Sequence, residues 1–338
     1  MRKTGLIVLV SLAALLLLGA GIGWLLVSSW ASSPKAGSGE PVAVDIPRGS
    51  GPLATAQLLA DRGVLDDPQA FYRWLRYVER AAGKLKAGEL AFRDDMSPRE
   101  VLAVLLDGTP VTHKITVPEG MRIDEVAALF EQAGLADAAE LERRARDPAL
   151  ARRLGVPHDS LEGFLHPETY SFRKHTPVEE ILRAMVAGYK AVFTDAWRRQ
   201  AARLQMSELE VVTLASIVEK ETGVAKERSL IAGVFHNRLK KGWKLQTDPT
   251  VIYAEILTQG RFDGTIHKSD LERDHPYNTY RHAGLPPGPI CNPGAAAIEA
   301  ALYPQKTDNM FFVSRNDGTH EFCPTLACHN RAVQKYQR

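Results

Sequence analysis

Cysteine is scarce in this chain, with three in 338 residues. None lies near the N-terminal apolar run, so no thiol is available there for lipidation. His320, Cys323, Cys328 and His329 could be read as a zinc site, but Cys-x4-Cys-His lacks the paired spacing such a site uses. No metal and no cofactor is expected; a Cys323–Cys328 disulfide is open to the chain in an oxidising compartment, with Cys291 as the odd thiol. Charge of one sign is also missing. Lys and Arg number 42 against 40 Asp and Glu, a formal net charge of +2, so composition gives no reason to expect a nucleic-acid partner. Between Gly5 and Ser28 there is no charge at all. A helix of that length, at ~1.5 Å per residue, exceeds a hydrocarbon core of ~30 Å. The run is too long for the apolar segment of a cleaved signal peptide and reads as an uncleaved anchor. Arg2 and Lys3 ahead of it predict a cytoplasmic N-terminus, with the chain from about Ser29 onward outside. Trp24 and Trp30 suit an interfacial position.

What remains is long enough for two or three domains. Ser32–Glu40, SSPKAGSGE, reads as a flexible tether. Beyond it the chain matches itself. At an offset of 71, Val44, Ile46, Pro47, Gly49, Leu59 and Gly63 fall on Ile115, Val117, Pro118, Gly120, Phe130 and Gly134. At an offset of 80, Phe92-Arg93 and Glu100-Val101-Leu102 fall on Phe172-Arg173 and Glu180-Ile181-Leu182. Each copy reads strand, Pro-x-Gly turn, helix, further helix, strand, helix. The predicted class is α+β, with residues 1–4 cytoplasmic, 5–28 the membrane anchor and 29–41 a linker. Residues 42–110 and 111–190 form two repeat-like subdomains, and 191–338 the main domain.

One stretch organises that last domain: Ser207–Gly223, SELEVVTLASIVEKETG. Ser207 with Glu210 three residues on is a capping box. Val211 to Val218 are almost all apolar, which marks a buried helix, and Gly223 is placed as its stop. Glu219 shares a face with Val212, Ala215 and Ser216. A carboxyl at the end of a dry helix has its charged form disfavoured and its pKa raised, as a general acid at neutral pH requires. The plainer reading is a structural Glu in a salt bridge with Lys226 or Arg228. Glu221, two residues on, is rotated by ~200° and is expected to support the helix end or orient a neighbour.

Three polar-aromatic clusters follow: Leu245–Tyr253 (LQTDPTVIY), Tyr277–Tyr280 (YNTY) and Gly284–Asn292 (GLPPGPICN). Amides, hydroxyls and tyrosine faces together suit a polyhydroxylated ring, although Asp248-Pro249 and Pro286-Pro287-Gly288 are also ordinary turn chemistry. Gln246, Thr247, Asp248, Tyr253, Asn278 and Tyr280 are the candidates for holding sugars, with Glu221 beside them.

ASIVEKET, LQTDPTVIY, YNTY and GLPPGPI, in this order behind one N-terminal anchor, closely resemble the YceG-like family, from Val42 to the C-terminus. Residues 42–93 resemble a LysM module, a small glycan-binding fold. The resemblance implies an inner-membrane lyase, facing the periplasm, that cuts the β-1,4 bond between N-acetylmuramic acid and N-acetylglucosamine inside glycan strands. It implies 1,6-anhydro products, Glu219 as the catalytic acid, and a glycan-polymerising penicillin-binding protein as partner. Two other readings stay open: a water-using muramidase with Asp248 as second carboxylate, and a glycan-binding scaffold without catalysis.

Overall fold

A computed structural model describes residues 2–337; Met1 and Arg338, the outer ends of the expected segments, lie outside the described residues. The uncharged run forms a single helix, α1 (Arg2–Ser32). Within it Leu9–Ser32, 24 residues of mean hydropathy 2.3, is long and apolar enough to cross a membrane. The helix continues past Ser28 because no proline or glycine interrupts it before Pro34.

The described chain divides into two compact units, residues up to 113 together with 173–175, and residues 114–172 together with 176–338. In the first, β1 (Pro41–Ile46) leads to α2 (Pro52–Asp61) and α3 (Pro68–Arg73), which runs on through one π-helical turn, Trp74–Val78. Then come β2 (Gly88–Arg93) and α4 (Pro98–Asp107). The two strands pair antiparallel from Pro41 opposite Arg93 to Ile46 opposite Gly88. Each of the three helices after α1 begins on a proline, whose fixed φ suits the first turn and whose missing N–H costs nothing there. Val44, Leu59, Phe71, Leu75, Leu90 and Leu105 close one core. The expected tether is held down: the Asp94 carboxylate accepts the N–H groups of Gly39 (2.7 Å), Ser38 and Glu40 (both 3.1 Å), and Lys35 pairs with Asp66 at 3.2 Å.

The second unit follows from β3 (His113–Thr116) through α5 (Ile123–Gln132), α6 (Ala138–Ala145) and α7 (Pro148–Arg153) to β4 (Thr169–Phe172), which pairs with β3. Strand, helices and strand follow in that order here, with α7 between α6 and β4. Residues from Ile115 to Leu302 share one apolar core. The cause is composition: α5 to α7 present Val126, Phe130, Leu141 and Leu150 inward, and a two-stranded sheet cannot cover them alone. The remaining elements are α8 (Val178–Val192), α9 (Asp195–Arg203), α10 (Glu208–Glu221), α11 (Arg228–Lys240), α12 (Asp248–Gln259), α13 (Lys268–Glu272), α14 (Ala295–Leu302), β5 (Phe311–Ser314), β6 (His320–Cys323) and α15 (Leu326–Tyr336).

Helix α10 is the axis of this unit. Ser207 and Glu210 form the capping box, and all eight residues from Val211 to Val218 are buried. Each large apolar side chain among them contributes roughly 1.5–3 kcal/mol over its exposed state. Gly223 does not stop the helix in a left-handed conformation; Thr222 leaves it in an extended one. Cys323 and Cys328 are disulfide-bonded, joining β6 to the first turn of α15, while Cys291 is a buried free thiol.

Candidate active site

The C-terminal end of α10 presents two carboxylates to two different surroundings. On one side the Pro-rich loop folds against the helix. Ile290 donates its N–H to Ser216 Oγ at 3.0 Å, and Gly294 donates its N–H to Glu219 Oε2 at 2.9 Å. Asn292 ties this loop to the turn Pro118-Glu119-Gly120: it accepts Gly120 N–H at 2.9 Å and donates its own N–H to Met121 O at 2.8 Å. Its side-chain oxygen accepts Leu165 N–H at 2.9 Å. Gly120 sits at φ +78, a conformation that favours glycine.

In this setting the Glu219 side chain is only 6% exposed and lies 3.5 Å from the Arg228 guanidinium, which also faces Glu119 at 3.9 Å. Burial raises the Glu219 pKa; the Gly294 N–H works against that rise and Glu119 adds to it. Glu219 is thus dry, as the helix pattern implied, and it also makes the Arg228 ion pair of the plainer reading.

On the other side of the helix end, a cavity of about 450 Å³ is bordered by Glu221, Arg238, Gln246, Asp248, Tyr280 and the C-terminal hairpin. Arg238 reaches it from α11, anchored by its Nε on Met310 O at 2.8 Å and by a further bond to Leu245 O. LQTDPT is not a turn but the start of α12, with Thr247 as N-cap and Pro249 in the first turn. That start aims Thr247 Oγ1 at Glu221, to whose carboxylate it donates. Asp248 accepts the Tyr280 hydroxyl proton at 2.6 Å. Burial pushes the Glu221 pKa up to about 7; the Thr247 bond opposes this, the nearby Asp248 charge reinforces it and Arg238 lowers it.

The expected sugar-holding residues separate accordingly. Gln246, Asp248, Tyr280 and Glu221 border one cavity, and Thr247 bonds within it. Tyr253 and Asn278 do not join them. Tyr253 is buried, with its hydroxyl donating to Glu162 at 3.2 Å. Asn278 is buried as well and spends its amide on the carbonyls of Asp270 (3.0 Å), Leu271 (3.1 Å) and Arg273 (2.8 Å).

One contributor escapes a reading of the sequence. Glu162, 1% exposed, accepts the Ile123 N–H at 3.2 Å, the Tyr253 hydroxyl and, at 3.4 Å, the Asn292 amide. Burial drives its pKa up to about 8, against the pull of Arg146 and of the Tyr253 bond. The only available signal is one Glu among the apolar residues of LEGFL. His320 and His329 also border the cavity, and His320 Nδ1 pairs with Glu227 at 2.7 Å. Among the described residues no cluster of three or more His, Cys, Asp or Glu could hold a metal.

The last turn of α10 thus carries two buried carboxyls, Glu219 and Glu221, the second on the wall of a cavity that also has an amide, a phenol, an arginine and Asp248. The chain belongs to the YceG-like family, which it matches over residues 44–335. It is 33% identical to the endolytic murein transglycosylase of Bacillus subtilis (strain 168), over 87% of this chain and 84% of that one. To the endolytic murein transglycosylase of Streptococcus pneumoniae (serotype 2, strain D39) it is 30% identical over 96% of this chain, spanning 63% of that relative's length. The crystal structure of a putative yceG-like protein from Listeria monocytogenes superposes with a TM-score of 0.58 and 33% identity, covering 87% of this chain and 99% of that one.

Proposed function

We propose that this chain is a membrane-anchored lytic transglycosylase that cuts peptidoglycan glycan strands internally, with Glu219 as its acid and base. The relatives named endolytic murein transglycosylase support the activity. The observation that carries the choice of acid is the Glu219 side chain at the end of α10, 6% exposed, with its pKa raised by burial and its Oε2 set by the Gly294 N–H. Glu221, whose carboxylate takes the Thr247 hydroxyl, holds the start of α12 beside the cavity bordered by Gln246, Asp248 and Tyr280.

The chemistry balances with one carboxyl. Protonated Glu219 gives its proton to the bridging oxygen of the β-1,4 bond while the C1–O bond breaks with oxocarbenium character at C1. The resulting carboxylate takes the proton of the sugar's own C6 hydroxyl, whose oxygen closes on C1. The product is a 1,6-anhydro-N-acetylmuramic end, and no water is consumed. The Gly294 N–H orients the carboxylate, Arg228 steadies its charged form, and Gln246 with Tyr280 offers hydrogen bonds to the ring substituents. Asp248, held by Tyr280 at 2.6 Å, stabilises positive charge at C1.

Asp248, a further carboxylate on the cavity at this helix end, is the observation that favours the hydrolytic reading, in which it would activate water. Sacculi incubated with the protein and analysed by mass spectrometry separate the cases. Anhydro ends support the lyase, reducing ends the muramidase, and absence of release the scaffold. In the same reading α1 holds the protein in the inner membrane with the two units in the periplasm. The first unit contacts glycan in the manner of a LysM module, and cutting beside a polymerising penicillin-binding protein sets strand length.

A further inference from the structure

We infer that the first unit carries a second membrane contact: the face around Trp74 and Tyr77 seats on the lipid surface where α1 leaves the bilayer. The inference rests on α1 being the anchor proposed above. A groove of about 500 Å³ has one wall on the last turns of α1 (Leu26, Val27, Trp30) and the other on α3 and its π turn (Trp74, Tyr77, Val78). Trp30 and Trp74 meet edge to face, with ring centres 6.1 Å apart, so the two walls are one surface. Its rim is open: Tyr77 is 67% exposed and Val78 47%. Large exposed apolar groups side by side in a soluble face need a partner.

The occupant follows from continuity with α1. The 24-residue apolar stretch ends at Ser32, and at ~1.5 Å per residue it is longer than a hydrocarbon core of ~30 Å. Leu26 to Trp30 therefore reach the headgroup level, and α3 with its π turn, packed beside them, reaches it too. The chain leaving α1 has no slack to lift the unit away, because Lys35 is paired with Asp66 and residues 38–40 are clamped by Asp94. The chemistry suits that depth. Tryptophan and tyrosine prefer the interface. Exposed Arg73, Arg76 and Arg80 flank the face, with the Arg76 guanidinium 5.5 Å from the Tyr77 ring centre, a pairing fit for anionic lipid headgroups. The one acidic neighbour in the turn, Glu79, faces Arg99 at 3.9 Å.

The test uses the full chain in nanodiscs containing anionic phospholipid. Cys291 is buried and the other two cysteines are bonded, so Tyr77→Cys gives one reactive thiol for a nitroxide label, and Leu17→Cys gives another for a reference inside α1. Collision of each label with oxygen, relative to a water-soluble nickel chelate, reports depth. At position 77 the ratio should exceed that of free nitroxide in buffer by about threefold or more, and fall at least about twofold when Arg73→Glu and Arg76→Glu are added. A deep label at 17 with an aqueous label at 77 overturns this inference and leaves the anchor standing. An aqueous label at 17 overturns the anchor and the inference with it.

Discussion

Replacing Glu162 by Gln tests whether the dry polar node behind the site is held neutral by its surroundings. Its carboxyl goes from 4.5 in water to about 8 in the folded chain, chiefly through burial. The native state therefore binds this proton more tightly than the unfolded chain. The resulting stability is complete below about pH 4.5 and is lost as pH rises toward 8. At ~1.4 kcal/mol per pH unit the full effect is about 5 kcal/mol, of which roughly 3–4 kcal/mol falls between pH 5 and 8. The amide in Glu162→Gln cannot ionise, yet its oxygen can still accept from Ile123 N–H. At pH 5 the variant should lie within about 1 kcal/mol of the parent, the net worth of one altered hydrogen bond. By pH 8 it should be the more stable of the two. At about 2–4 °C per kcal/mol for a unit of this size, the melting temperatures should shift relative to one another by roughly 6–15 °C across that range. Differential scanning calorimetry of both proteins in the same detergent, from pH 5 to 8, measures it. Parallel curves would show that Glu162 titrates alike in the folded and unfolded chains, and the reasoning from burial would be wrong.

Other outcomes follow from the same geometry. With the Glu219 pKa raised by burial, the rate of glycan cutting at low substrate should fall about tenfold per pH unit once pH has passed that pKa; a flat profile to pH 9 would exclude a carboxyl in that role. Gly163 holds φ +87, and an added Cβ would lie 2.4 Å from Pro289. Gly163→Ala should therefore cost roughly 2–5 kcal/mol in urea unfolding. The Cys323–Cys328 bridge closes a short loop at a sequence separation of 5. Cys323→Ser with Cys328→Ser should lower stability by about 2 kcal/mol and speed hydrogen exchange in β5, β6 and α15 first.

Much of the fold can be read from the chain, and α10 shows where such reading stops. Its capping box, its unbroken burial and the dry environment of its last turn all follow from SELEVVTLASIVEK. The arithmetic of helix faces, however, chooses between Glu219 and Glu221 only if one face is wetter than another. Here every residue from Val211 to Val218 is buried, so no face is distinguished. What separates the two carboxylates is which distant segment arrives. Gly294 comes from 75 residues downstream to Glu219, and Thr247 from 26 residues downstream to Glu221. The three clusters are visible in the sequence as polar and aromatic. Their division is not, because Tyr253 and Asn278 look the same whether they face a sugar or satisfy a buried Glu and three carbonyls. The SSPKAGSGE segment has a linker's composition, and only the Asp94 carboxylate, more than 50 residues on, removes its freedom.

The most direct test compares anhydro-muropeptide release from sacculi by three forms of the full chain: wild type, Glu221→Gln and Glu219→Gln. Loss of the proton donor should lower release by Glu219→Gln by about three orders of magnitude or more, with the fold kept. Glu221→Gln, whose amide oxygen can still accept from Thr247, should keep at least about a tenth of the wild-type rate. The opposite pattern, with Glu219→Gln active and Glu221→Gln folded but inert, would contradict the assignment of the acid.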